Sequence, residues 1–430
     1  MKIRNLMLLL APLLLCLLIS GPVSARVYLD ITAPQLRKIN LAVPPFVDQS
    51  KPAAPTVEGR MMADIMGRAL DLHGFVSLID PKFYGERQDA DWVQHGVEFV
   101  VKGLYRQDGE VFTLELKLLD ITGGRMIHRR HLQTSGEMTR QAILRYADEV
   151  VAVLTGEKGI SQSKIAFVSS AGGHKEVYLA DILGDHVRQV TRHQFLALSP
   201  RFTPDGKYLT YTSHHHGNAD LYKTCFRELR TTRAISRWAG LNLAPSWLPG
   251  GDQMILTLSR DGNPDLYLAA SEGAIIRRLT HGEGVNVSPS LAPDGRRLAF
   301  VSDRGGTPQI FIMDLETMAI QRLTFQGNHN TTPDWSPDGR FIAYTGRTGE
   351  ALHIFIIRPE GGPPTQITRT WGQHEGPSWS PDSRQLVFSR QRHDREEICA
   401  IFIDGSGLRV LFADQPGNHS MPRWSPRLSQ

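Results

Sequence analysis

The chain has 430 residues, of which 41% are hydrophobic and 21% charged, enough for two or three domains with full cores. That balance argues against a disordered chain and against a bundle of membrane helices. The formal net charge of +4 is too small and too scattered to mark a nucleic-acid-binding surface.

Residues 1–25, MKIRNLMLLLAPLLLCLLISGPVSA, combine basic Lys2 and Arg4, a leucine-rich stretch and the small-residue end Val23-Ser24-Ala25. This is the pattern of a cleaved secretory signal, and the mature chain is expected to start near Arg26. Loss of Lys2 and Arg4, with no acid removed, takes the formal charge from +4 to +2. Cys16 follows Leu15 where lipoprotein processing wants a small residue, so no lipid anchor is expected. No later stretch is apolar for long enough to span a membrane, and an exported protein without direct membrane insertion is expected.

From Arg26 to about residue 158 the pattern is that of a small α/β domain. RVYLDI and KINLAVPPF read as strands, TVEGRMMADIMGRALDLHG as a helix stopped by glycine, and FVSLID as a strand. The segment VEFVVKGLYRQDGEVFTLELKLLDITGGRMIHRRHLQT reads as a strand and hairpins turning at Asp108-Gly109 and Gly123-Gly124. A helix follows at MTRQAILRYADEVVAVLTG, with Ile143, Tyr146, Ala147 and Val150 on one face, and EKGISQS reads as the linker.

The remainder is repetitive. Prolines opening an x-P-x-aromatic pattern fall at Pro200, Pro245, Pro289, Pro333, Pro377 and Pro422, 44 or 45 residues apart, the period of a β-propeller blade. Turns such as TPDGK and SPDGR lead into strands such as YLTYTS and FIAYTG, then DLYKTC and HIFIIR, then a third at RRLT or TQIT. In the turns proline presets φ, aspartate bonds back to the backbone and glycine accepts positive φ. One copy, residues 164–191, lacks its opening P-x-W-S-P, and the chain ends on an orphan copy at residues 422–426. Pairing the two ends gives six blades and no open sheet edge. The expected architecture is therefore an α+β two-domain chain: a signal peptide over 1–25, an N-terminal α/β domain over 26–158, and a six-bladed all-β propeller over 159–430 closed by the C-terminal strand. In that ring Cys225 and Cys399 lie on either side of the closing blade, too far apart to bridge, and two free buried thiols are expected.

The signal peptide, an α/β domain of this order, the LTGEKGI junction and six P-x-W-S-P-D-G blades together resemble the TolB family, periplasmic components of the Tol-Pal system, over essentially the whole mature chain. The resemblance implies a monomeric, non-enzymatic periplasmic adaptor without cofactors, bound to no nucleic acid. It further implies that the lipoprotein Pal docks on the propeller mouth and that TolA is bound by the extreme mature N-terminus, with other outer-membrane proteins left open as partners. Here that segment is Arg26, Val27, Tyr28, Leu29, Asp30 and Ile31. Its alternating apolar residues suit a strand added to a partner's sheet, or an edge strand of its own domain. The sequence departs from the family pattern at Pro249-Gly250-Gly251, at Leu291 in place of an aromatic, and in the loop before Pro200, which lacks the usual glycine.

The loops before the repeat prolines read AGLNLAP, EGVNVSP, QGNHNTTP, WGQHEGP and PGNHSMP. Counted from the glycine, the second residues are Asn242, Asn286, His329, His374 and His419, a ring of amides and imidazoles. With Ala244, Ser288, Thr332, Glu375 and Ser420 they form the expected Pal-binding mouth. The alternative is a metal-dependent propeller lyase acting on uronate polymers, with His329, His374 and His419 on one cation. The His214–His216 run reads as a solvated loop. Other enzyme signatures are missing: there is no G-x-S-x-G elbow, no H-E-x-x-H, no C-x-x-C and no phosphate loop.

Overall fold

The computed structural model describes residues 38–428 apart from position 53 and residues 227–230. The expected strand RVYLDI therefore lies outside the described residues.

The N-terminal region is one sheet backed by helices. Strands β1 (Ile39–Ala42), β2 (Val47–Asp48), β3 (Val76–Leu78), β4 (Phe99–Asp108), β5 (Val111–Asp120) and β6 (Arg125–Ser135) make it up. Its order is β3-β1-β4-β5-β6, parallel through β3, β1 and β4 and antiparallel beyond, with β2 beside β4. Pro44 and Pro45 split the expected KINLAVPPF strand into β1 and β2, since proline cannot donate to a ladder. Helix α1 (Val57–Asp71) starts where the Thr56 hydroxyl accepts from Gly59 N at 3.0 Å. Gly59 is required there, because a Cβ would stand 2.0 Å from the Phe46 carbonyl oxygen. A short helix, α2 (Pro81–Tyr84), was not evident in the pattern, its single turn being too brief to show periodicity. Helix α3 (Glu137–Thr155) packs on α1 and the sheet through the buried face Ile143, Tyr146, Ala147 and Val150.

The rest is a six-bladed propeller of six four-stranded antiparallel sheets. The first blade takes its innermost strand, His419–Trp424, from the end of the chain and pairs it with Lys164–Ser169. The innermost strands of the other blades are Ala197–Phe202, Asn242–Trp247, Asn286–Leu291, Asn330–Trp335 and Gln373–Trp379. Each carries a bulge at the repeat proline, where pairing slips by one position. Proline costs nothing there because the bulged residue gives no ladder bond. The second strands bury one large residue each, Phe167, Tyr211, Leu256, Phe300, Tyr344 and Phe388, all at most 2% exposed. Each such side chain contributes about 1.5–3 kcal/mol.

Two repeated side-chain bonds explain the rest of the motif. The threonine ending RRLT, QRLT and TQIT accepts an N–H of the blade's third strand, counted from the channel: Thr280 from Leu266, Thr324 from Ile310, Thr368 from Ile354, at 2.9–3.0 Å. The residue between the repeat proline and the aromatic latches one blade to the next. Ser246 Oγ accepts from Leu291 N, Ser290 Oγ from Trp335 N, Asp334 Oδ2 from Trp379 N and Ser378 Oγ from Trp424 N, at 2.9–3.2 Å.

Two expectations need correction. Cys399 is a buried free thiol, as expected, but Cys225, the last residue of its strand, is only half-buried. The EKGISQS segment is not a loose linker, since Ile160, Ser161 and Ser163 are buried. Asp148 of α3 accepts from Ser161 N (2.7 Å) and Gln162 Nε2 (3.0 Å), and Ile160 N donates to His73 Nε2 (3.1 Å). The domains also meet through charge. Arg140 donates to Asp181 and Asp185, Arg68 to Asp185 and to Leu183 O, and Gln385 Nε2 to Leu72 O.

Candidate functional site

The groups that touch the α/β domain lie on the turns after the first and third strands of two adjacent blades. Strand alternation puts the loops leading into each innermost strand on the opposite face, which therefore points away from the α/β domain.

The expected ring sits at the start of those innermost strands, with one change of member. Counted back from the repeat proline, the equivalent residues are Ala197, Asn242, Asn286, Asn330, His374 and His419, each opposite the end of its second strand. His329 is displaced by one, because QGNHNTTP has one residue more between glycine and proline than the other loops.

The ring side chains are also buried rather than exposed on this face. Asn242, Asn286, Asn330, His374 and His419 are at most 3% exposed, and Ala244 and Ser420 are buried too. Asn242 Nδ2 donates to Ala219 O (2.9 Å) and Trp238 O (2.7 Å), while its Oδ1 accepts from Ser236 Oγ (2.6 Å) and Trp238 N (3.0 Å). Asn286 donates to Asp265 and Gly284 O and accepts from Arg304; Asn330 donates to Gln309 and Gln326 O. Each amide thus ties its loop to the preceding blade. His374 does the same as a neutral ring, Nδ1–H donating to Leu352 O (3.2 Å) and Nε2 accepting from Thr370 (3.1 Å). Burial, opposed by the Leu352 bond and aided by His353 and Arg390, pulls its pKa down to about 4. His419 pairs with Ser169 at 3.0 Å, and burial lowers its pKa as well. Polar side chains are needed here because the loops bury backbone groups that the ladders do not satisfy.

Of the expected mouth residues, Ser288, Thr332, His329 and Glu375 retain exposure. Ser199, Ser288, Thr332 and Met421 precede the repeat prolines with φ between 49° and 55°, a left-handed conformation disfavoured before proline. With Gly376 they line the neck of the channel. Among the described residues no three His, Cys, Asp or Glu side chains come together in a way that would hold a metal ion, so His329, His374 and His419 do not form the trio a lyase reading requires. His214–His216 lies in a strand-connecting loop, with His215 and His216 exposed.

What the sequence reading missed is apolar. Five of the six loops on this face expose large hydrophobic side chains: Phe195 and Leu196, Trp238 and Leu241, Val285, Phe325 (73% exposed) and Trp371 (63% exposed). Met421 adds another at the neck. Trp238 lies 3.9 Å under Arg260 and Trp371 packs on His393, so the rings are held while their outer faces stay bare. Beside Trp371 a concavity of about 550 Å³ opens between Arg369, His353 and Gln391. A strand-based pattern search passes over these residues because they sit in loops with no period.

The arrangement defines the class of two-domain, six-bladed propeller proteins with one face given to an α/β domain and the other free. A model of the TolB beta propeller domain matches residues 151–428, and one of the TolB amino-terminal domain matches residues 27–127. The chain belongs to the TolB family. Among curated relatives, the Tol-Pal system protein TolB of Desulfotalea psychrophila is 41% identical over 212 residues, 49% of this chain and 48% of that protein. That of Desulfosudis oleivorans is 36% identical over 216 residues, 48% of this chain and 49% of that protein. The chain spans about half the length of the curated relatives it matches. The crystal structure of TolB from Acinetobacter baumannii superimposes with a TM-score of 0.78 at 27% identity, covering 90% of this chain and 97% of that one.

Proposed function

We propose that this chain is a non-enzymatic periplasmic adaptor of the Tol-Pal system. It binds the lipoprotein Pal on the free face of the propeller and TolA through Arg26 to Ile31, and so supports outer-membrane integrity and constriction during division. The observation that carries the Pal half is the apolar rim. Exposed aromatic side chains from successive blades, around a polar neck, are the composition of a protein-docking surface rather than of a solvated loop face. Its side chains are Phe195, Trp238, Phe325 and Trp371, with Ser288, Thr332 and Glu375 as the polar neck; the buried amides and imidazoles act behind them by fixing the loops. The TolA half rests on the family resemblance of the N-terminal segment. We also propose the expected limits, 26–158 and 159–430, as the two domains.

Calorimetric titration of the mature chain with the soluble domain of Pal tests this reading. Saturable binding that survives a chelator, and is lost in a Phe325→Ser/Trp371→Ser variant that unfolds at the parent temperature, is the expected result. Binding of equal strength in that variant would place the site elsewhere. Removal of residues 26–36 is expected to abolish TolA binding while leaving Pal binding measurable.

A further inference from the structure

The latch residues form a second ring, deeper in the channel: Arg201, Ser246, Ser290, Asp334, Ser378 and Arg423, one from each blade. They line an axial cavity of about 410 Å³ near the turn face, with the repeat aromatics behind them. Four of the six accept the next blade's N–H, as described. Arginine has no acceptor, so the equivalent bonds to Trp247 N and Phe202 N are not made by Arg201 and Arg423. Two adjacent blades thus give up a latch to place guanidinium groups on the axis.

Of the two, only Arg423 lies within ion-pair distance of a carboxylate among the described residues. Arg423, 8% exposed, donates to Asp334 Oδ1 at 2.8 Å and to Pro377 O at 3.3 Å. Arg201 donates to its neighbour's carbonyl, Pro200 O, at 3.1 Å, and forms no ion pair with a described carboxylate. The ring therefore holds two positive charges and one negative. Arg201 is half-buried; desolvation and the like charge of Arg423 disfavour its charged form, and the more distant Asp334 offsets this only in part. An arginine does not give up its proton in a protein, so the excess positive charge facing the cavity favours a mobile anion over titration.

We propose that this end of the channel binds a small free oxyanion, of the carboxylate or phosphate class, between Arg201 and Arg423. Ser246 and Ser378 flank the pair, and their hydroxyl oxygens accept the latch bonds while their protons remain to be donated. Guanidinium pairs and hydroxyls are the donor set that suits a planar or tetrahedral oxyanion.

The test is calorimetric titration of the full mature chain with inorganic phosphate and, separately, with acetate in low-salt buffer. A single saturable site is expected for at least one ion. Arg201→Ser installs the residue found at three other ring positions, so it is expected to fold with an unchanged or raised unfolding temperature and to weaken binding by roughly tenfold or more. Asp334→Ser keeps a latch acceptor but frees Arg423, and is expected to bind more tightly than the parent. No saturable binding of either ion, equal binding in Arg201→Ser, or weaker binding in Asp334→Ser would each overturn the proposal.

Discussion

Single side chains in this chain do their structural work where backbone groups would otherwise be stranded. Asn242 makes at least four hydrogen bonds that tie its loop to the preceding blade, so Asn242→Ala is expected to cost about 1–3 kcal/mol, read as a lower urea midpoint with an unchanged slope. His374 adds a pH dependence whose sign follows from its environment. Its pKa is lowered from 6.5 to about 4 in the fold, so between those values the unfolded chain binds more protons. The contribution is complete above the unfolded value and falls away as the pH drops, by up to about 3 kcal/mol. His374→Asn, which copies the residue used at the same place in three other blades, is expected to flatten the loss of stability between about pH 6.5 and pH 4. An equally steep loss in that variant would show that other groups carry the acid sensitivity. The residue types at this ring were legible in the sequence, but their burial was not. Polar side chains at a repeated loop position read equally well as a binding ring or as loop ties, and only the hydrogen-bond partners separate the two. The slip from Asn330 to His329 has a plainer cause, since counting from a glycine fails where the loop is one residue longer.

At the scale of elements, most of the architecture follows from the 44-residue period, because each copy must bury the same alternating strand faces against its neighbours. Even the closing strand was legible, as an orphan copy at one end answering a missing one at the other. The joint between the domains was not, because EKGISQS has a linker's composition and is buried only by partners distant in sequence. Gly159 shows how tight that joint is: a Cβ there would lie 2.2 Å from Asp148 Oδ1 and 2.7 Å from its Cα. Gly159→Ala is therefore expected to destabilise the chain by about 1–3 kcal/mol, measured by denaturant unfolding. The closing strand makes a larger prediction. Truncation after residue 418 removes the innermost strand of the first blade, the latch from Ser378 and the Trp424 Nε1 bond to Ser163 Oγ at 2.8 Å. Loss of cooperative thermal unfolding by calorimetry is expected, since the first blade is left with a bare inner edge and its neighbour without a latch partner.

The whole molecule is a scaffold with two unlike faces. One is committed to the α/β domain through Arg140, with Asp181 and Asp185, and through the buried joint; the other carries the apolar rim. Arg140→Ala leaves Asp181 buried without its ion pair, and is expected to uncouple the domains, splitting one thermal transition into two. The free face was the least legible feature, because its aromatic residues stand singly in loops and gain meaning only when the ring brings five loops together. That gathering is the basis of the adaptor reading, and hydrogen–deuterium exchange of the full mature chain with and without the soluble domain of Pal tests it most directly. The account predicts slowed exchange in the loops 190–196, 237–241, 323–329 and 367–372, with the turns facing the α/β domain unchanged. Protection confined to those turns, or no protection at a saturating Pal concentration, would contradict it.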